Sequence, residues 1–328
     1  SVSQDNVFGT GNRLSLQLNS GSVNKVYSVS YTNPYFTVDG ISLGYDLYRR
    51  DLDSTSLNSV SPYKTSTYGA GMRFGFPISE RDSFFTGLTY EQTAIDVTAG
   101  SPQRYLDYVN TFGSDNDTLR LDASIARDSR DSYLFPTKGL MQRAAVEIGT
   151  PLGSLQYYKL TLQNQQYFPL SQSFTLMLNA ELGYGAGLSG KPMPFFKNFY
   201  AGGTGSVRGF QNGTLGPRDT VGNTIGGDTR VVGNAELLFP MPGMKDDKSM
   251  RLSAFLDVGA TWGPGNFSGG VEDGRYSEFA LDDLRYSAGL AVLWVSPLGP
   301  LKFSLAKPLV EKPGDQTEMF QFSLGNAF

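Results

Sequence analysis

An all-β fold, a transmembrane antiparallel up-and-down β-barrel, is what this sequence predicts, on three observations. First, residues 173–187 alternate: Phe174, Leu176, Leu178, Ala180, Leu182, Tyr184 and Ala186 have one parity, and Ser173, Thr175, Met177, Asn179, Glu181, Gly183 and Gly185 the other. A period of two places these sets on opposite faces of one strand. The strand is longer than the ~5–6 residues usual in soluble sheets and matches the ~9–11 that cross a bilayer at a tilt. Second, proline-bearing connections recur at every second turn, as an up-and-down meander requires. Third, no run reaches the ~18 apolar residues of a transmembrane helix. The mean hydropathy of −0.25 over 328 residues does not argue against a barrel, because a barrel carries its membrane character in alternation rather than in average.

The alternation continues along the chain. Leu14, Leu16 and Leu18 oppose Arg13, Ser15, Gln17 and Asn19; Tyr27, Val29 and Tyr31 oppose Ser28, Ser30 and Thr32. Ile41, Leu43, Tyr45 and Leu47 oppose Ser42, Gly44 and Asp46, and Leu119, Leu121, Ala123 and Ile125 oppose Arg120, Asp122 and Ser124. Leu252, Ala254, Leu256, Val258 and Trp262 form the apolar parity of a later strand, opposite Arg251, Ser253, Asp257 and Thr261. Such segments number about fourteen complete strands plus a fragment at residues 1–6.

One set of connections carries proline beside aromatics: Asn33-Pro34-Tyr35-Phe36, Phe76-Pro77, Phe135-Pro136, Phe168-Pro169, Phe239-Pro240 and Ser296-Pro297-Leu298-Gly299-Pro300. Proline cannot donate to a ladder and ends a strand, while the aromatic ring suits headgroup depth. Longer insertions, near 51–65, 96–117, 188–228 and 263–284, fall on the opposite rim. Short turns on one side and long loops on the other are the outer-membrane pattern. A closed barrel of this size has a lumen too wide for side chains to fill. Its wall is therefore expected to be polar, here Asp46, Arg73, Glu91, Asp122, Arg143, Glu147, Lys159, Glu181, Glu236 and Asp257.

Composition excludes much chemistry. The chain has no His and no Cys, so a Ser-His-Asp triad, a thiol nucleophile and His- or Cys-ligated zinc are impossible. No catalytic residue, metal site or cofactor is expected. A net charge of −4 gives no reason to expect nucleic acid. Ser1 lies inside what reads as a strand, which points to an excised domain.

The segment 188–228 is long and glycine-rich, as functional loops are. Its centre reads Asn198-Phe199-Tyr200-Ala201-Gly202-Gly203-Thr204-Gly205-Ser206-Val207-Arg208-Gly209-Phe210. A phosphate cradle is ruled out by the spacing, by the lack of a following Lys-Ser/Thr and by the lack of a helix. A mobile surface loop would leave Phe199, Tyr200, Val207 and Phe210 in water.

Val207-Arg208-Gly209-Phe210 resembles the loop motif of the outer-membrane assembly-factor (bacterial surface antigen) family, whose relatives include two-partner secretion transporters and organelle import barrels. Residues 31–40 (Tyr31-Thr32-Asn33-Pro34-Tyr35-Phe36-Thr37-Val38-Asp39-Gly40), Met193-Pro194-Phe195-Phe196 and Ser296-Pro297-Leu298-Gly299-Pro300-Leu301 extend the resemblance over the whole chain. It implies a sixteen-stranded barrel whose sixth extracellular loop folds into the lumen, with Arg208 pairing to wall carboxylates. Glu236 and Asp257 are the candidate partners, and alternation independently puts both on the polar face. A confined guanidinium needs charge partners, and its planar fork suits carboxylates.

The last strand, residues 318–328, repeats the two-residue code to the final residue, with Phe320, Phe322, Leu324 and Phe328 opposite Gln321, Ser323 and Gly325. The resemblance makes it one side of a lateral seam between first and last strands. Ser323 and Gly325 would then belong to the gate, and Phe320, Phe322 and Phe328 would face lipid. Periplasmic domains and the first strand would be missing, leaving an edge unpaired, so the fragment alone is expected not to close stably. The implied function is non-enzymatic insertion of β-barrel proteins into the outer membrane of a Gram-negative bacterium. The implied partners are nascent outer-membrane β-barrel proteins, the lipid bilayer, accessory outer-membrane lipoproteins, and periplasmic chaperones acting through the missing domains. A transporter that secretes one polypeptide through its lumen is the alternative. A diffusion porin would be plugged by such a loop, and a hydrolase lacks a His base.

Overall fold

The computed structural model of the chain describes residues 2–57, 59–98, 100–243, 249–263, 279–297 and 299–324. Its sheet strands are β1 (Val2–Gln4), β2 (Arg13–Ser20), β3 (Asn24–Asn33), β4 (Ser42–Asp53), β5 (Lys64–Pro77), β6 (Asp82–Asp96), β7 (Asp115–Asp128), β8 (Gly139–Gly149), β9 (Tyr157–Pro169) and β10 (Thr175–Gly187). After the two-residue β11 (Gly209–Phe210) come β12 (Thr229–Pro240), β13 (Met250–Trp262), β14 (Arg285–Ser296), β15 (Gly299–Val310), the two-residue β16 (Thr317–Glu318) and β17 (Phe320–Leu324). Fifteen of them form one antiparallel sheet in chain order, β1 to β10, then β12 to β15, then β17, while β11 and β16 pair with each other. Fourteen strands with a three-residue leader match the number read from alternation.

The strands are long because both ends run past the membrane. The 15 residues of β6 extend about 50 Å at ~3.4 Å per residue, more than a ~30 Å hydrocarbon core requires even at a tilt. The insertion expected at 51–65 is accordingly shorter, since β4 reaches Asp53 and β5 starts at Lys64. From β2 to β15 every strand of this sheet is paired on both sides, as lipid demands. Leu47, Ile125, Leu162, Leu178, Leu182, Leu256 and Leu305 stand exposed on the outer face. Asp46, Arg73, Asp122, Arg143, Glu147 and Lys159 line an internal cavity of about 400 Å³.

The proline turns gather on one rim. β5, β9 and β12 end at Pro77, Pro169 and Pro240, and β3 and β14 end just before Pro34 and Pro297. The opposite rim is built from longer segments, among them helix α1 (Gln103–Phe112) between β6 and β7. Its Tyr105 and Tyr108, three apart and so on one face, join Tyr63, Ile95, Phe195 and Ile225 in a buried cluster. The Tyr105 and Phe195 rings stack at 3.9 Å, and Tyr63 meets both edge-on at 5.8 and 5.3 Å. Desolvation in this cluster pushes the Tyr63 hydroxyl up to about 12.

Two expectations are corrected. Trp262 has the outward parity of β13 but is 1% exposed. Phe279 packs on its ring at 4.8 Å and the Ala280 carbonyl accepts its indole N–H at 3.1 Å, so this end of β13 lies under a loop rather than against lipid. The last strand is not continuous from residue 318. Thr317–Glu318 leave the sheet and pair with the loop, and sheet pairing resumes at Phe320. β1 and β17 end the sheet order and, among the described residues, are not paired with each other.

Candidate functional site: the lumenal loop and its latch

The loop leaves β10 at Leu188 and is first fixed on the β6–β8 wall. Phe195 enters the aromatic cluster, and the next turn sends Lys197 inward. Lys197 Nζ lies 3.3 Å from Glu147 and 3.6 Å from Glu91, while its carbonyl accepts from Lys159 Nζ at 2.7 Å. Glu91 also receives Arg120 and the Tyr48 hydroxyl. The loop's two arms then close on each other through reciprocal backbone hydrogen bonds between Phe199 and Gly227, at 2.7 and 2.9 Å.

Beyond this neck the chain makes a tight turn. Gly202 and Gly203 adopt φ of +105° and +94°, a region open to glycine at no steric cost. The Gly202 N–H donates to Ser206 Oγ and the Gly203 N–H to the Val207 carbonyl, at 2.7 and 3.1 Å. The turn delivers Val207 and Phe210, both 0% exposed, into a cluster with Ala201 and Leu215. Gly209, at φ +89°, lies so close to the wall that an added Cβ would sit 3.1 Å from Ala306 Cβ.

Arg208 reaches the opposite wall. Its Nε and Nη2 donate to the two Asp257 oxygens at 2.7 and 2.8 Å, Nη1 donates to Glu236 at 3.2 Å, and its backbone N–H donates to Asp257 at 3.0 Å. In the β12–β13 register Glu236 faces Phe255 and Asn234 faces Asp257, so all four share the lumenal face. The guanidinium carbon lies 3.4 Å above the Phe255 ring, a cation–π seat. Asn234 Nδ2 donates to Asp257 at 2.8 Å and to the Ser206 carbonyl at 2.7 Å, tying wall to turn. The side chains of Arg208 and Asp257 are 3% and 0% exposed. Burial works against the guanidinium charge, but the Asp257 hydrogen bond and the Glu236 and Asp257 charges outweigh it and raise its pKa.

The structure thus brings together Val207, Arg208, Gly209, Phe210, Glu236 and Asp257. Of the seam residues, Phe320 and Phe322 point outward, and Ser323, half-buried, pairs with Lys302 of β15; Gly325 and Phe328 lie outside the described residues. Lys197, Phe255 and Gln321 were not singled out from sequence. Phe255 carried a usable signal, being an aromatic residue on the polar parity of its strand. Lys197 and Gln321 carried none, because a polar residue on a polar face looks like lumen lining.

The family model for the Omp85 superfamily domain matches residues 6–328. The chain belongs to the Omp85 superfamily. It is 42% identical over its whole length to the outer membrane protein assembly factor BamA of Neisseria meningitidis serogroup B, covering 44% of that protein. Among solved structures, BamA from Haemophilus ducreyi lacking POTRA domains 1–3 superposes with a TM-score of 0.87 at 30% identity, over 98% of this chain and 65% of that one. CdiB from Acinetobacter baumannii shares the fold, with a TM-score of 0.60 at 16% identity over 98% of this chain and 54% of that one. The chain therefore spans less than half the length of the curated relative. It is an outer-membrane β-barrel, with the lumen crossed by the Arg208 loop as this superfamily member's internal element.

Proposed function

We propose that this chain is the barrel domain of an outer-membrane insertase that folds β-barrel proteins and inserts them into the bilayer at the seam beside the last strand. It makes and breaks no covalent bonds. Its substrates are nascent outer-membrane β-barrel proteins, received through periplasmic domains outside this chain, where chaperones and accessory lipoproteins also act. The supporting observation is the state of β17. Among the described residues five residue pairs hold it to β15, against eight to fourteen in each ladder from β2 to β15, so it is lightly held and can give way to an incoming strand. Strand addition gives affinity through the backbone without demanding a side-chain sequence, which suits an acceptor of many barrels. Phe320 and Phe322 hold β17 in lipid, since both are more than half exposed on the outer face.

The 42% identity to an assembly factor over the whole chain supports this reading over secretion, and the likeness to CdiB, at 16% identity, speaks only to fold. The deciding experiment is disulfide crosslinking in the full-length protein, freed of other thiols, against a stalled barrel substrate carrying one cysteine in its terminal strand. Ser323→Cys is expected to capture the substrate. Capture by Asp257→Cys instead, with none at residue 323, would place the polypeptide in the lumen and make secretion the function.

A further inference from the structure

The last strand is split, and its two parts answer to different partners. Phe320–Leu324 pair with Leu301–Leu305 of β15, and the Ala306 N–H still reaches the Met319 carbonyl at 2.8 Å. Continued in register, the strand would set Thr317 opposite Pro308, which has no N–H to donate. At the same level the β14–β15 ladder shifts register between Tyr286 and Ser287, a bulge that bends β15. Thr317 and Glu318 turn inward and take Phe210 and Gly209 as strand partners, and the Gln211 N–H donates to the Gln316 carbonyl at 2.9 Å. The residue following the Arg208 latch is therefore already hydrogen-bonded to the last strand.

Gln321 joins the two parts. It is 5% exposed, belongs to the β15-paired segment, and points into the lumen. Its Oε1 accepts from the Gly209 N–H at 3.3 Å, and its Nε2 donates to the Phe210 carbonyl at 2.7 Å and to Glu318 at 3.2 Å. A side-chain amide here does what a strand backbone would do, presenting one acceptor and one donor to a dipeptide. Above it, Asp315, with its side chain 0% exposed, receives Arg285 of β14 at 3.0 Å and Arg218 of the loop at 3.3 Å. Residues 315–321 thus tie loop, last hairpin and wall together.

We propose that Gln321 is a positioning residue that couples the Arg208 latch to the sheet edge, so that loop release and loosening of the last strand are one event. The loop segment 207–211 serves as the strand neighbour that Pro308 denies to Thr317 and Glu318. When Arg208 leaves Asp257, Gly209 and Phe210 withdraw, and the upper half of the last strand loses its partner. When the lower half peels from β15, Gln321 is pulled from the loop and the latch weakens in turn. Coupling of this kind is reciprocal by thermodynamic necessity. The coupling itself is a property of the barrel, and only its use at a seam rests on the insertase reading.

The test is hydrogen–deuterium exchange by mass spectrometry on the full-length protein in lipid nanodiscs, following peptides that cover 207–212 and 314–324. Gln321→Met keeps the side-chain volume and removes the amide, so a packing role would leave exchange unchanged. Arg208→Lys keeps the charge and removes the fork. Each variant is expected to speed exchange in both peptides by on the order of tenfold, as the loss of one or two hydrogen bonds would do, and to leave β5 and β6 unchanged. The double variant is expected to go no further than the stronger single one. Changes confined to the peptide that carries the substitution, or effects that multiply in the double variant, overturn the proposal. If Gln321→Met gives no folded barrel by heat-modifiable migration, the response of 314–324 to Arg208→Lys decides alone. No substrate enters this measurement, so failure of the crosslinking experiment and failure of the coupling are separable.

Discussion

Asp257→Ala is the substitution whose effect follows most directly from the geometry. The carboxylate takes four hydrogen bonds: the backbone N–H, Nε and Nη2 of Arg208, and Nδ2 of Asn234. Its removal leaves Arg208 in a 3%-exposed site with Glu236, among the described residues, as its only carboxylate within ion-pair distance, and strands a backbone N–H. Breaking a buried, hydrogen-bonded pair from one side costs ~3–5 kcal/mol, most of it the uncompensated charge. That range favours the released loop by roughly two to nearly four orders of magnitude. Exchange of the 203–211 amides, followed with the folded barrel as internal reference, reads the change as a rise in opening. Glu236→Ala should cost less, because Glu236 accepts from one Arg208 nitrogen, against three for Asp257, and also accepts from the Ser253 hydroxyl. A joint replacement, Arg208→Met with Asp257→Leu, should recover much of the loss, since no unpaired guanidinium remains. Two results would refute the reasoning: a cost for Asp257→Ala below ~1 kcal/mol, typical of a solvated surface pair, or a joint replacement that loses the sum of its parts.

Further expectations concern the loop backbone, its second anchor and the opposite rim. Gly209→Ala must hold a Cβ at φ +89° and 3.1 Å from Ala306 Cβ, at a cost of ~1–2 kcal/mol for the left-handed backbone alone; thermal unfolding and 203–211 exchange should both register it. Lys197→Met should free residues 195–200 by only ~1–2 kcal/mol, because Glu91 keeps Arg120 and Tyr48; an effect as large as that of Asp257→Ala would show the two anchors to be misranked. In the turn between β7 and β8, burial would raise the Asp131 pKa, but hydrogen bonds from the Thr137 hydroxyl and N–H and the Lys138 N–H lower it overall. A depressed carboxylate stabilises fully above its unfolded value of ~4 and loses that contribution as pH falls through the lower folded value. Exchange of the 131–138 amides, corrected for intrinsic rates, should therefore show loosening only below that range, and Asp131→Asn should remove the dependence.

Alternation told the two faces apart because the solvents they meet are opposite in kind, and proline fixed one rim because a missing N–H ends a ladder wherever it occurs. Those signals are local, so the strands and the wall positions of Glu236 and Asp257 were legible. Trp262 was misplaced because parity says which side a residue faces, not what covers it; Phe279 and Ala280 lie seventeen and eighteen residues further on. The split of the last strand was hidden for a similar reason. Glu318 and Met319 invert the parity of Phe320, Gln321 and Phe322, but this break does not show its cause: the bend arises from Pro308 across the ladder and from Gly209–Phe210 more than a hundred residues earlier. Pro308 was the available clue, a proline inside a strand that has neighbours on both sides.

The placement of the anchors bears on how a polypeptide would use this barrel. The loop is held on the β6–β8 wall by Lys197 and Phe195 and on the β12–β13 wall by Arg208, so it spans the lumen and blocks it. Among the described residues these sites share no ion-pair partner, and costs at independent sites add. Opening the lumen to a passing chain would require both to break, with burial of the Phe210 cluster and the aromatic cap lost besides. Use of the β17 edge draws on the Arg208 anchor alone, to which Gln321 joins the last strand, and leaves the Lys197 anchor and the aromatic cap in place. The lower-cost route leaves the plug in the pore and works at its side, which is the physical argument for insertion at the seam over secretion through the lumen.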